Sequence, residues 1–168
     1  AARLLREERD IHFLLSGWGM GFARLKDMQA AAQLANVTLV DRVADSELDA
    51  LLSSADAWLI PYRKDVAGVS VPSRFYNLLA AGRPVILVSE PEAEAALTVS
   101  ENGLGWVVTP GRPDQLADAV RLASRSQDTG MAERAVATAR SFSPERALAS
   151  YAALVAELLS DRDVERTA

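Results

Sequence analysis

The chain has no cysteine. Disulfides, thiolate metal sites and cysteine nucleophiles are therefore all excluded. It has one histidine, His12, which falls inside the apolar run Ile11–Ser16. A structural role fits that place better than a catalytic one. With one histidine and no cluster of acids, a Ser-His-Asp relay and a histidine-based metal centre both lack their parts. No metal site is expected. Positive charge is also short: the formal net charge is -5 and the pI about 4.9. That argues against electrostatic binding of nucleic acid by the whole chain, though not against a local basic pocket. No apolar run is long enough to span a bilayer.

What is present is ordinary core material. Of the 168 residues, 49% are hydrophobic and 24% charged, enough for one folded domain with a sizeable core. The opening segment "AARLLREERD" reads as an amphipathic charged helix, more like the middle of a protein than a natural start.

Strand and helix patterns then alternate. Short apolar runs at Ile11–Ser16, Val37–Val40, Ala57–Pro61, Pro84–Ser89 and Gly105–Pro110 read as buried strands. Between them lie helical patterns at Arg24–Ala35, Asp45–Ala55, Pro72–Gly82 and Pro91–Gly103. Asp45 or Ser46 is the expected N-cap of the second, and Gly82 closes the third. Three helices follow, at Pro113–Ser126, about Thr129–Ser141, and Pro144–Ser160, and the tail Asp161–Ala168 is expected to fray. Continuous apolar strands separated by helices predict a parallel sheet covered on both faces, a doubly wound α/β domain. Neither a repeat nor an internal linker interrupts residues 1–168.

In such sheets ligands sit outside the carboxyl ends of the strands. Two loops there draw notice. "SGWGMG" (Ser16–Gly21) carries Gly17 and Gly19, which let backbone N–H groups approach a ligand. It is a broken dinucleotide fingerprint, with Phe22 where the third glycine belongs and Asp41 at the end of the next strand. Trp18 stands in this loop, able to stack on a base or on a partner domain, or simply to cover the core. "GVSVPSRFYN" (Gly68–Asn77) is more specific. Gly68 permits close approach, Ser70 and Ser73 offer hydroxyls, and Pro72 presets the first helical turn. Arg74 adds a planar fork suited to phosphate at the positive end of the helix.

The span from "VTLVDRVADSELDALLSSADAWLIP" through "VPSRFYNLLAAGRPVI" to "GWVVTPGRPDQLADAVRLA" resembles the C-terminal, donor-binding half of GT-B glycosyltransferases. It is most similar to retaining glycosyltransferase family 4, in the subgroup with "PSK-x-Y-x-x-LAAGRP", Arg74 standing for the lysine. The resemblance runs from about Ile11 to Ser160. It implies transfer of a sugar from a nucleotide diphosphate sugar to an acceptor hydroxyl, with retention, in polysaccharide or glycolipid assembly. It implies no cofactor beyond that donor substrate. Gly17 and Gly19 would line the donor cleft, and Arg42 and Val43 would border the nucleobase. Gly68, Ser70, Ser73 and Arg74 would border the sugar and diphosphate, and Asn77 could bond the ribose. No catalytic residue is assigned.

Three departures from the family pattern bear on this. Val69 and Asn77 occupy the positions of a Glu-x7-Glu pair. The Rossmann-like sheet has its first strand apparently missing, together with the arginine and lysine that hold the diphosphate. The acceptor-binding N-terminal domain is missing too. The expectation is a piece of a longer enzyme, inactive alone, whose open strand edges are filled by rearrangement or by another chain. The resemblance further implies a cytoplasmic protein, peripheral on the inner membrane face if its acceptor is lipid-linked. Two other readings stay open: a non-catalytic GT-B-like binding module, and an NAD-type oxidoreductase resting on the glycine loop and Asp41. Sugar-nucleotide epimerisation on the same fold lacks the carboxylates and histidine it would need.

Overall fold

Short aliphatic strands alternate with helices in the computed structural model, which describes residues 1–62, 64 and 73–167. The order is β1 (Phe13–Ser16), α1 (Met20–Ala32), β2 (Val37–Val40), a single 3-10 turn at Asp45–Glu47, α2 (Leu48–Ser54) and β3 (Trp58–Pro61). There follow α3 (Ser73–Ala80), β4 (Val85–Val88), α4 (Glu94–Glu101), β5 (Gly105–Val108), α5 (Pro113–Arg125), α6 (Gly130–Ser141) and α7 (Pro144–Thr167). All pairings are parallel. The α/β, Rossmann-like class read from the sequence is the one observed.

The strands form two sheets rather than one. β1 pairs with β2, and β3-β4-β5 form a separate three-stranded sheet. Among the described residues, β1 and β3 each keep one edge without a strand partner. This is the division expected for an absent central strand, and no strand of the described chain has moved into it. The three-stranded sheet is covered on both faces with a period of two. Val85 and Leu87 pack with Phe75, Leu78 and Leu79 of α3, with Ala95, Ala96 and Val99 of α4, and with Ala135 of α6. Ile86, between them in sequence, turns the other way with Val108 onto Ala119 of α5.

Helix α5 also reaches the smaller sheet. Its Ala117 packs with Leu5 and Ile11, and Phe13 lies against the same cluster. Val120 touches the clusters on both sides. Arg121 bonds Glu8 at 2.8 Å. This contact overturns one expectation. Residues 1–10 form successive turns rather than an amphipathic helix. Burial of Leu5 against α5, together with the bond from Asn36 Nδ2 to the Ala2 carbonyl (3.0 Å), holds the segment in turns.

Other boundaries also differ from the sequence reading. Helix α1 begins four residues earlier than expected, directly after Gly19, whose φ of 88° turns the chain into it. The 3-10 turn is capped not by Asp45 or Ser46 but by Glu47, whose carboxylate accepts the Ala44 N–H at 3.2 Å. Gly82 follows α3 with φ 67°, its N–H bonded to the Leu79 carbonyl at 2.9 Å. Helix α7 does not fray at residue 161 but runs to Thr167. Along it Leu148, Tyr151, Leu154, Val155, Leu158 and Leu159 form an exposed apolar stripe. Among the described residues no helix is long and apolar enough to cross a membrane.

Candidate functional site

Within each sheet the parallel strands aim their carboxyl ends the same way, so the loops after β1 and β2 lie at one rim, as do those after β3 and β4 in the other sheet. The first two are well defined. The Gly17 N–H donates to the Val40 carbonyl at 3.2 Å, and the Ser16 hydroxyl donates to the Asp41 carbonyl at 3.2 Å. These bonds tie the glycine loop to the exit of β2. The two glycines have different reasons to be glycine. A Cβ on Gly17 would lie 3.2 Å from the Phe22 ring, which is buried in the core. A Cβ on Gly19 would meet nothing within 4 Å, but its φ of 88° disfavours any other residue. Phe22 is thus a core plug that Gly17 makes room for.

Asp41 accepts from Lys26 Nζ at 2.9 Å, and the same ammonium lies 5.1 Å from the Phe22 ring centre. An acid engaged by lysine is a poor candidate for the ribose contact that the dinucleotide reading needs. Arg42 and Val43 continue without regular secondary structure. Arg42 lies over the Trp18 ring, 5.1 Å from its centre, and reaches Asp45 at 3.6 Å. Gly17, Gly19, Arg42 and Val43 are therefore gathered at the carboxyl end of the β1-β2 sheet, with Trp18 among them. His12 contacts the Thr38 hydroxyl at 2.7 Å, an exposed link beside β1 and β2.

The second half of the site is only partly described. Gly68 and Ser70 lie outside the described residues, and so does the side chain of Ser73. Helix α3 starts at Ser73, immediately after that segment, so its N-terminal N–H groups open on the rim. Arg74 and Asn77 are exposed and three residues apart, on the helix face opposite the buried Phe75, Leu78 and Leu79. No bond holds either side chain among the described residues.

Two groups on this rim were not singled out from the sequence. Tyr62 follows β3, its N–H bonded to the Val88 carbonyl at 2.9 Å, and its buried hydroxyl has no hydrogen-bond partner among the described residues. Burial, then the neighbouring Tyr76, raises its pKa above the usual phenol value. Tyr76 on α3 is raised by burial and then by Glu94, and its ring sits 5.4 Å from Phe75 and 4.6 Å from Phe142. A tyrosine directly after a strand was the available signal. Ser89, buried, and Glu90, half-buried, stand beside it at the end of β4. A shallow groove lined by Gly82, Val136 and Arg140 lies at the far end of α3, away from the rim. Among the described residues no acids or histidines cluster as metal ligands do.

This arrangement can offer the main chain at Gly19, a helix N-terminus, a cation at Arg74 and an aromatic plate, while the Gly17 N–H is already engaged by Val40. Comparison with known proteins speaks to the family and the fold. A family model described as glycosyl transferases group 1 matches residues 1–125. WbjE of Pseudomonas aeruginosa, named a probable glycosyltransferase, is 29% identical over 117 residues, covering 70% of this chain and 29% of its own. WcaI of Escherichia coli strain K12, whose name assigns it to glycosyl transfer in colanic acid biosynthesis, is 31% identical over 124 residues. That match covers 73% of this chain and 30% of WcaI. The chain thus spans under a third of the length of these curated relatives. The pneumococcal O-GlcNAc transferase GtfA, solved with UDP and GlcNAc, superposes with a TM-score of 0.67 at 18% identity, over 94% of this chain and 31% of GtfA. AviGT4, a glycosyltransferase involved in avilamycin A biosynthesis, gives 0.60 at 20% identity, over 92% of this chain and 46% of AviGT4. At those identities the two structures speak to the fold.

Proposed function

The chain belongs to the group 1 glycosyl transferases, and from that premise we propose that it is the donor-binding part of an enzyme that moves a sugar from a nucleotide diphosphate sugar to an acceptor hydroxyl. The family match over residues 1–125 carries this reading. The rim supports it, with Gly17, Gly19, Arg42, Val43 and Arg74 on loops and helix starts where such a donor would lie.

The chemistry follows from charge. As the glycosidic bond breaks, negative charge grows on the leaving diphosphate. Pre-placed N–H groups at the start of α3 and the guanidinium of Arg74 stabilise that charge in the transition state more than in the ground state. A cation supplied by the protein serves where a metal otherwise would, so the reaction in this reading needs no metal or cofactor. Asn77, on the same face as Arg74, bonds the ribose. Gly68, Ser70 and Ser73 complete the cradle for sugar and diphosphate. Transfer with retention, a lipid-linked acceptor at the inner membrane face, and polysaccharide assembly as the pathway class belong to the same proposal. The acceptor side lies on a further domain, so the chain alone binds donor without transferring it.

Calorimetry on the full-length protein that carries this chain tests the reading, with UDP, GDP, ADP, NAD and UDP-sugars as ligands. Selective binding of one nucleoside diphosphate is expected. Arg74→Ala should weaken it roughly tenfold or more, because a charge-assisted contact is lost. Binding of NAD alone, or of no nucleotide, overturns the proposal.

A further inference from the structure

We propose that Trp18 is the stacking platform for the nucleobase of the donor, and that Arg42 is a positioning residue that holds the indole in place rather than a phosphate ligand. This rests on the nucleotide-sugar reading above and assigns a residue within it.

Trp18 is 65% exposed although it is among the largest apolar side chains of the chain. It is not loose. Arg42 lies over the ring at 5.1 Å, which is the geometry of a cation–π contact. Asp45 also lies 3.6 Å from the same guanidinium. The loops beneath are joined by the bonds from Gly17 and Ser16 to the exit of β2. Guanidinium cover accounts for one face of the indole, and the exposure of the residue leaves the other to solvent.

The surroundings select the occupant. Among the described residues, the main-chain N–H and C=O groups of Arg42 and Val43 bond to nothing. A fixed aromatic plate beside unpaired main-chain donors and acceptors suits a flat ring with polar edges. The plate takes the face, and the main chain reads the edge. An apolar protein surface would satisfy the plate but leave those polar groups buried and unpaired, which costs free energy. Base–aromatic stacking tolerates every base, so Trp18 contributes affinity and the 42–43 main chain contributes selection. Because the ring is already held, little side-chain entropy is lost on binding.

The test is calorimetry on the full-length protein with the nucleoside diphosphate it selects among UDP, GDP and ADP, the matching monophosphate and inorganic pyrophosphate, using Trp18→Leu, Trp18→Tyr and Arg42→Ala. Trp18→Leu should weaken the diphosphate and the monophosphate roughly five- to a hundredfold and leave pyrophosphate within about twofold. Trp18→Tyr, which keeps a flat ring, should recover most of the loss. Arg42→Ala should lower monophosphate affinity by a smaller factor without changing pyrophosphate. The part of the monophosphate-induced fluorescence quenching that Trp18→Leu abolishes should shrink with it. Equal diphosphate affinity in wild type and Trp18→Leu overturns the assignment, and so does a loss of pyrophosphate binding as large as that of the diphosphate. A wild-type protein that binds pyrophosphate but none of UMP, GMP and AMP also overturns it while leaving the transferase reading standing. A wild type that binds no pyrophosphate and none of these nucleotides removes both.

Discussion

The two sheets are built from the same kind of sequence and end in different environments. β1 reads FLLS and β4 reads VILV, both short aliphatic runs. Yet β1 alternates between half-buried and exposed residues, whereas β4 is buried at three positions of four. The difference is in the neighbours. β4 has a hydrogen-bonded strand on each side and helices on both faces. β1 has one strand partner, and among the described residues its Leu14 remains 44% exposed. Apolar content therefore states what a strand could bury, and the surroundings decide what it does bury. The larger sheet carries the stability. The smaller one carries the better-defined half of the site.

That division predicts its own largest test. Gly105 pairs with Val85 across β4 and β5, and a Cβ there would lie 1.9 Å from the Val85 carbonyl oxygen, at φ 151°. The backbone must separate to admit it, so Gly105→Ala should cost more than about 3 kcal/mol by denaturant unfolding. Gly19→Ala on the other half meets nothing within 4 Å and should cost only the conformational penalty of a φ of 88°, about 1–2 kcal/mol. Equal costs would erase the distinction between the halves.

The next contrast compares two leucines. Leu87 is fully buried between α3, α4 and α6. Leu87→Ala should cost about 2–5 kcal/mol through lost transfer energy and a residual cavity. Leu14→Ala, on the open sheet, should stay within about 0.5 kcal/mol. A large loss at Leu14 in the full-length protein would mean that β1 is covered there, and would locate the covering surface.

A smaller effect concerns the link between the halves. Arg121 of α5 bonds Glu8 and also Asp118, both at 2.8 Å. Arg121→Ala should leave the unfolding midpoint nearly unchanged. It should speed amide exchange in β1 and β2 while sparing β4, because local opening needs less energy than global unfolding. Uniform acceleration would show that the two sheets open as one unit.

Much of this was legible in the sequence, and what was not has a common cause. Helix α3 between Pro72 and Gly82, the run Val85–Val88 and the glycine turn at 17–19 follow from local rules of periodicity, turn residues and start and stop signals. The parallel α/β order follows from their alternation. The turns of residues 1–10 were misread because Leu5 is captured by α5, more than a hundred residues away, and a local helical pattern cannot announce that. The Arg42–Trp18 contact joins two loops that only the pairing of β1 with β2 brings together. Tyr62 carries no motif, and its unpartnered hydroxyl is a property of packing alone. Contacts between distant segments set each of these.

The smallest expected effect is that of pH, and it falls on the larger half. Arg112 donates two hydrogen bonds to Asp114 at the start of α5, at 3.0 and 2.6 Å, and they hold that carboxyl near a pKa of about 2, below its ordinary 3.8. Arg134 does the same in direction for Asp128, while its guanidinium also donates to the Gly103 carbonyl, so that α6 is tied to the turn before β5. A carboxyl whose folded pKa is depressed stabilises the fold above its unfolded pKa and stops doing so as pH falls through the folded one. For Asp114 that window lies between about pH 4 and pH 2. Both carboxyls are exposed to solvent, so the contribution is small and weakens further in salt. Amide protection in β4 and β5 should therefore decline slightly more than that in β1 and β2 on acidification across this window, narrowing the difference between the sheets. Asp114→Asn should remove part of that slope. An Asn variant with an unchanged acid profile would place the pH dependence elsewhere, and a steeper decline in β1 and β2 would mean the smaller sheet is the acid-sensitive one.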